Sequence, residues 1–127
     1  MKLLYSETGF EQDYEPQVCF EGTTIELSNF IHEIKSHLSS YENNVVQMDL
    51  SIQTNDFEVE LYIKENDTVL TKIDGNKLII SLDKKYWSEI INLIYPLTLK
   101  AGYQFVEFDN YSFFYNATIL FSSVSPR

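Results

Sequence analysis

The stretch "TVLTKIDGNKLIISLDKKYWSEII", residues 68–91, reads in order as strand, turn, strand, cap and helix. Val69 to Ile73 and Leu78 to Leu82 flank "DGN", and a turn at Gly75-Asn76 sets the register between them. That register pairs Ile73 with Leu78, Thr71 with Ile80 and Val69 with Leu82, so the two inward rows meet. Asp83 then stands where a helix needs a side-chain acceptor for its free N–H groups. Trp87, Ile90, Ile91 and Ile94 follow at the spacing of one helical face. Pro96 has no N–H and clashes with the preceding turn, so the helix is interrupted there. A further turn is expected over Leu97–Ala101, closed by Gly102.

Upstream, "VVQMDLSIQTNDFEVELYIKEND" (45–67) alternates apolar and polar residues twice over, at Val46, Met48, Leu50 and Ile52, then at Phe57, Val59, Leu61 and Ile63. A hairpin at Thr54-Asn55 pairs Ile52 with Phe57, Leu50 with Val59 and Met48 with Leu61. With the following pair of strands this predicts a four-stranded antiparallel meander. Before it lies a helix opened by Thr23 and Glu26, a T-x-x-E capping box. Leu27, Phe30, Ile31, Ile34 and Leu38 make its apolar stripe. Short strands are expected at Lys2–Tyr5 and Gln17–Phe20, and two more at Tyr103–Phe108 and Asn116–Val124, the last one central. The order is β-β-α-β-β-β-β-α-β-β. It predicts an α+β fold, a mostly antiparallel sheet with two helices packed on one face. The 127 residues, 44% of them hydrophobic, suit a single domain with one core. No internal repeat or linker is visible.

Nine basic residues against nineteen acidic ones leave a net charge of −10. Phosphate repels such a chain, which argues against nucleic acid and anionic membrane as direct partners and favours a basic protein. The acids cluster. "ETGFEQDYEP" (7–16) carries Glu11, Asp13 and Tyr14 on a connection longer than a hairpin needs, ended by Pro16. "VEFDNYSFFYN" (106–116) carries Glu107, Asp109 and Tyr111. In the first hairpin, Asp49 is expected directly opposite Glu60, with Glu58 nearby, a like-charge pairing that costs stability unless it is offset. The expected offset is Lys72 on the next strand of the meander. These nine residues are the candidate partner contacts, with exposed Tyr and Phe rings as anchors.

Catalytic and metal chemistry finds little support. His32 and His37 are five apart, off the i, i+4 spacing that shares a helix face. Cys19 is the sole cysteine, which excludes an internal disulfide and a Cys-based zinc site, and its strand setting suggests a buried structural thiol. Glycines at 9, 22, 75 and 102 form no phosphate loop, and no serine lies in a G-x-S-x-G elbow. No cofactor, no metal and no enzymatic activity are expected. "MKLLYSE" is too short an apolar run for a signal peptide, and no stretch has transmembrane length, so the expected compartment is the cytoplasm.

"EGTTIELSNFIHEI" (21–34) and "LIISLDKKYWSEIINLIYPLTLKAGYQFVEF" (78–108), together about a third of the chain, resemble segments of small bacterial immunity proteins. These are antidotes of polymorphic or contact-dependent toxin systems. The resemblance implies a cytoplasmic, non-enzymatic protein that binds one toxin and blocks its active site. A nuclease toxin, with a basic substrate groove, would suit the acidic charge. The alternative is a structural or regulatory module that self-associates as a homodimer through a sheet edge or aromatic patch.

Overall fold

The computed structural model describes residues 1–6, 17–40, 46–48, 52, 58–66, 69–106 and 118–124. Its strands are β1 (Lys2–Ser6), β2 (Gln17–Thr23), β3 (Val46–Met48), β4 (Glu58–Ile63), β5 (Val69–Asp74), β6 (Lys77–Leu82), β7 (Gly102–Phe105) and β8 (Thr118–Val124). Helix α1 spans Thr24–Ser40 and α2 spans Lys84–Ile94. This is an α+β fold with the predicted order of elements.

Both helices start as the sequence predicts. Thr23 N–H donates to Glu26 Oε1 at 3.0 Å and Glu26 N–H to Thr23 Oγ1 at 3.1 Å, the reciprocal capping box. Asp83 caps α2 by accepting from Lys85 N–H at 3.1 Å. After Ile94 the chain tightens into a 3-10 turn, Tyr95–Thr98, with Pro96 in its first positions, where a missing N–H costs nothing. Gly102 does not close this turn. It opens β7, opposite Ser123.

The strands form two sheets rather than one. The first has the order β1-β2-β8-β7 and the second β3-β4-β6-β5. In each, two antiparallel hairpins join through a central parallel pair, β2 with β8 and β4 with β6. The expected meander is therefore corrected. β5 pairs with β6 in the predicted register, but β6, not β5, lies beside β4, and β5 is an edge. Composition explains the choice: "LIISL" in β6 is apolar at every position but Ser81, and all five residues are buried or half-buried, as a central strand beside a parallel neighbour demands, whereas β5 exposes Lys72 and Asp74. Trp87 locks the arrangement, its Nε1–H reaching the carbonyl of Tyr62 on β4 at 2.9 Å.

The two sheets are architectural copies. The chain reads as two successive ββαββ units, and each unit places one hairpin in each sheet. Val18 and Leu78, Phe20 and Ile80, Leu27 and Trp87, Phe30 and Ile90, Ile31 and Ile91, Ile34 and Ile94 are sixty positions apart (18 to 78), as are the caps Thr23 and Asp83, and the six pairs are all buried. The same interval relates β4 to β8: Val18 sits beside Ile119 as Leu78 sits beside Val59. Each helix packs on the central strands of one sheet, α1 on β2 and β8, α2 on β6, and the helices also meet each other. Apart from Cys19, the buried apolar side chains of the described residues join in one cluster. At its centre in the first sheet, Phe20 stacks on Phe121 with centroids 4.9 Å apart, and Phe30 from α1 lies 5.7 Å from Phe121.

Candidate partner-binding surface

Of the nine candidate contacts, Glu58 and Glu60 fall within the described residues. Glu11, Asp13, Tyr14, Asp49, Glu107, Asp109 and Tyr111 lie outside them. Both described glutamates alternate with the inward residues Val59 and Leu61, so they project from the outer face of the second sheet. They are bridged. Lys77 Nζ lies 3.2 Å from Glu60 Oε2 and 3.7 Å from Glu58 Oε2. Tyr62 O–H donates to Glu60 Oε1 at 2.9 Å.

The offsetting cation is thus Lys77 rather than the predicted Lys72, because the parallel neighbour of β4 is β6. The Tyr62 hydroxyl and then Lys77 hold the Glu60 carboxyl below its ordinary range. Reciprocally, Glu60 raises Tyr62 and Lys77 above theirs. The cluster is a satisfied network with one negative charge to spare, so it offers a basic partner less than two bare carboxylates would.

The first sheet brings together the strand ends that border two of the other acidic segments. Ser6 is opposite Gln17, Gln17 is beside Thr118, and Phe105 is opposite Leu120. The strand ends that carry segments 7–16 and 107–117 therefore adjoin at one end of this sheet. Glu7, Glu11, Asp13 and Glu15 belong to the first segment, Glu107 and Asp109 to the second, and neither segment contains Lys or Arg. Sequence alone could not show this adjacency, since it depends on the parallel pairing of β2 with β8.

Chemistry is not drawn to the remaining candidates. Cys19 is buried, and burial, with a smaller push from the Glu21 charge, raises its thiol to about 11. It therefore stays protonated at neutral pH. His32 is exposed and His37 half-buried on α1. Among the described residues no group of three or more His, Cys, Asp and Glu side chains is placed to hold a metal ion. Between the helices, Lys35, Leu38 and Ser39 of α1 face Lys84, Ser88, Ile91 and Asn92 of α2 across a groove of about 400 Å³. Sequence reasoning missed this groove, for which only the helix pairing could have given a signal. The Ser39 and Ser88 hydroxyls donate back to the carbonyls of Lys35 and Lys84, so they offer a ligand acceptors only. Among the described residues no helix is long and apolar enough to cross a membrane. No known protein family, curated protein or solved structure matches this chain.

Proposed function

We propose that this chain is a non-enzymatic acidic binding protein of the cytoplasm, an immunity protein that binds and inhibits a cognate bacterial toxin of basic, nuclease type. One observation carries the reading: the pairing of β2 with β8 joins the strand ends of two separate acidic and aromatic segments. A net charge of −10 then acts with local density, not as a diffuse background. The two segments together carry six carboxylates and no Lys or Arg, a charge complementary to a basic groove. Tyr14 and Tyr111 supply apolar area that resists dissociation once the charges have steered the encounter.

The test is a variant with four of these six carboxylates neutralised, E11Q/D13Q/E107Q/D109Q, measured against a cationic nuclease toxin encoded beside the gene for this protein. Wild type is expected to suppress nuclease activity stoichiometrically, with an association rate that falls as salt rises. The variant is expected to associate at least tenfold more slowly at low salt and to show a shallower salt dependence. Equal rates for both proteins, or no inhibition by wild type, would remove the proposal.

A further inference from the structure

The groove between the helices departs from the charge of the chain as a whole. Its walls hold two lysines and no acidic residue, in a protein whose net charge is −10. Each helix contributes the same unit. Lys35 stands four residues before Ser39 on α1, and Lys84 four residues before Ser88 on α2, a spacing that puts each pair on one helix face. The match is not a product of the sixty-position repeat, in which Lys35 corresponds to Tyr95 and Lys84 to Thr24. The two units share a groove only because α1 and α2 meet.

Among the described residues neither lysine has an ion-pair partner. Asp83, next to Lys84 in the chain, is engaged by the Lys85 N–H at the helix cap. Two ammonium groups lining one groove repel each other, and an anion seated between them is attracted by both. The distant carboxylates of the chain are screened by salt, whereas the two lysines act at contact distance.

The hydroxyls narrow the choice. Ser39 Oγ–H donates to the Lys35 carbonyl at 2.9 Å and Ser88 Oγ–H to the Lys84 carbonyl at 3.2 Å, so both protons are committed and lone pairs are left for a ligand. A ligand that brings hydroxyl groups satisfies them. Asn92, exposed one turn beyond Ser88, adds an amide that both donates and accepts. Leu38 and Ile91, both buried, give the groove an apolar floor.

An anionic group, several hydroxyls and a C–H face in one small molecule describe a phosphorylated sugar. We propose that the groove between α1 and α2 binds a sugar phosphate, its phosphoryl group between Lys35 and Lys84 and its hydroxyls on Ser39, Ser88 and Asn92. A volume of about 400 Å³ lies at the small end of ligand sites and suits a pentose or hexose monophosphate. A ligand of about sixteen non-hydrogen atoms, at the modest yield per atom of ordinary ligands, gives a dissociation constant on the order of 0.1–1 mM. The helices pack on different sheets, so an occupied groove ties the two sheets together. The inference is independent of the toxin-inhibitor reading, since its readout requires no toxin.

Amide NMR of the whole chain tests it, with glucose 6-phosphate and ribose 5-phosphate each titrated to about 10 mM. At least one is expected to shift the signals of residues 35–39 and 84–92 to saturation. Glucose, which lacks the anion, should leave them in place. Inorganic phosphate, which lacks the sugar, should bind about fivefold more weakly or worse. Lys35→Met and Lys84→Met, both at exposed positions, should each weaken the sugar phosphate about fivefold. Ser39→Ala should weaken the sugar phosphate about threefold and leave inorganic phosphate unchanged, a split that general loss of structure would not produce. Groove signals that neither sugar phosphate shifts overturn the inference. So does inorganic phosphate binding as tightly as the sugar phosphates, or an affinity that both lysine variants leave unchanged.

Discussion

Replacing Phe121 with alanine tests the joint on which the fold turns. Phe121 is 2% exposed on the central strand β8, stacked on Phe20 at 4.9 Å and tilted against Phe30 at 5.7 Å. Truncating a buried Phe costs about 3–5 kcal/mol. The site is flanked on three sides, by β2, β7 and α1, and so cannot easily collapse into the cavity, which places the loss toward the upper end. Against a total stability of roughly 5–15 kcal/mol, such a loss is a large fraction. With a urea slope of ~2 kcal/mol/M, the midpoint should fall by about 2 M. The assay is urea titration followed by far-UV circular dichroism and by the fluorescence of Trp87, which reports from α2 on the other sheet. A single core requires both probes to shift together. A double-mutant cycle with Phe20→Leu and Phe121→Leu should return a coupling of about 0.5–1.5 kcal/mol from the stacked rings. A loss below about 1 kcal/mol in Phe121→Ala would refute the packing argument. A Trp87 transition that stays at the wild-type midpoint while the dichroism shifts would refute the single core.

Asp83→Ala removes the acceptor for the Lys85 N–H and should lower stability by about 1 kcal/mol in the same titration, with Asp83→Asn recovering most of it. Glu60 titrates below its ordinary range, so its contribution is present above the unfolded value and is lost as pH falls through the folded one. Lys77→Met removes one of the two groups responsible and should move the midpoint of the Glu60 carboxyl titration, followed by NMR, to higher pH. Cys19, raised to about 11, has a thiolate fraction on the order of one in a thousand at pH 8. The greater nucleophilicity of a high-pKa thiolate offsets about tenfold of that, and burial slows attack further. A disulfide reagent should therefore react at least tenfold more slowly with the folded protein than with the chain in urea. Equal rates would show Cys19 open to solvent.

What the sequence made legible was local. The Thr23–Glu26 box, the Asp83 cap, the break at Pro96 and the β5–β6 register all depend on residues within one or two turns of each other, and all stand in the structure as expected. Met48 also pairs with Leu61 as the first hairpin requires. Non-local neighbours escaped. Exchanging β5 for β6 beside β4 leaves the inward and outward alternation intact, so periodicity could not decide it. Only the near-continuous apolar run of "LIISL" against the charges of β5 held the answer. The duplicated architecture was hidden for a related reason. Between 17–40 and 77–100, Ser28 and Ser88, Ile31 and Ile91, Ile34 and Ile94 are the identical pairs, and burial is preserved through unlike residues such as Leu27 and Trp87. For the candidate surface, net charge was readable directly. The neutralisation of Glu60 by Lys77, and the adjacency of the two acidic segments' strand ends, each required a parallel pairing that no local pattern encodes.

The parallel pairing of β2 with β8 also sets a timetable for synthesis. Hairpin β1–β2 leaves the ribosome about a hundred residues before its partner strand, a wait of roughly 5–20 s at ordinary elongation rates. Through that interval Val18 lacks Ile119 and Phe20 lacks Phe121, while the strands of the second sheet are already outside and able to pair. The last strand to emerge therefore closes a sheet begun by the first. Chains arrested before residue 118 should leave a first hairpin that protease still cuts, and release of the last strand should protect it.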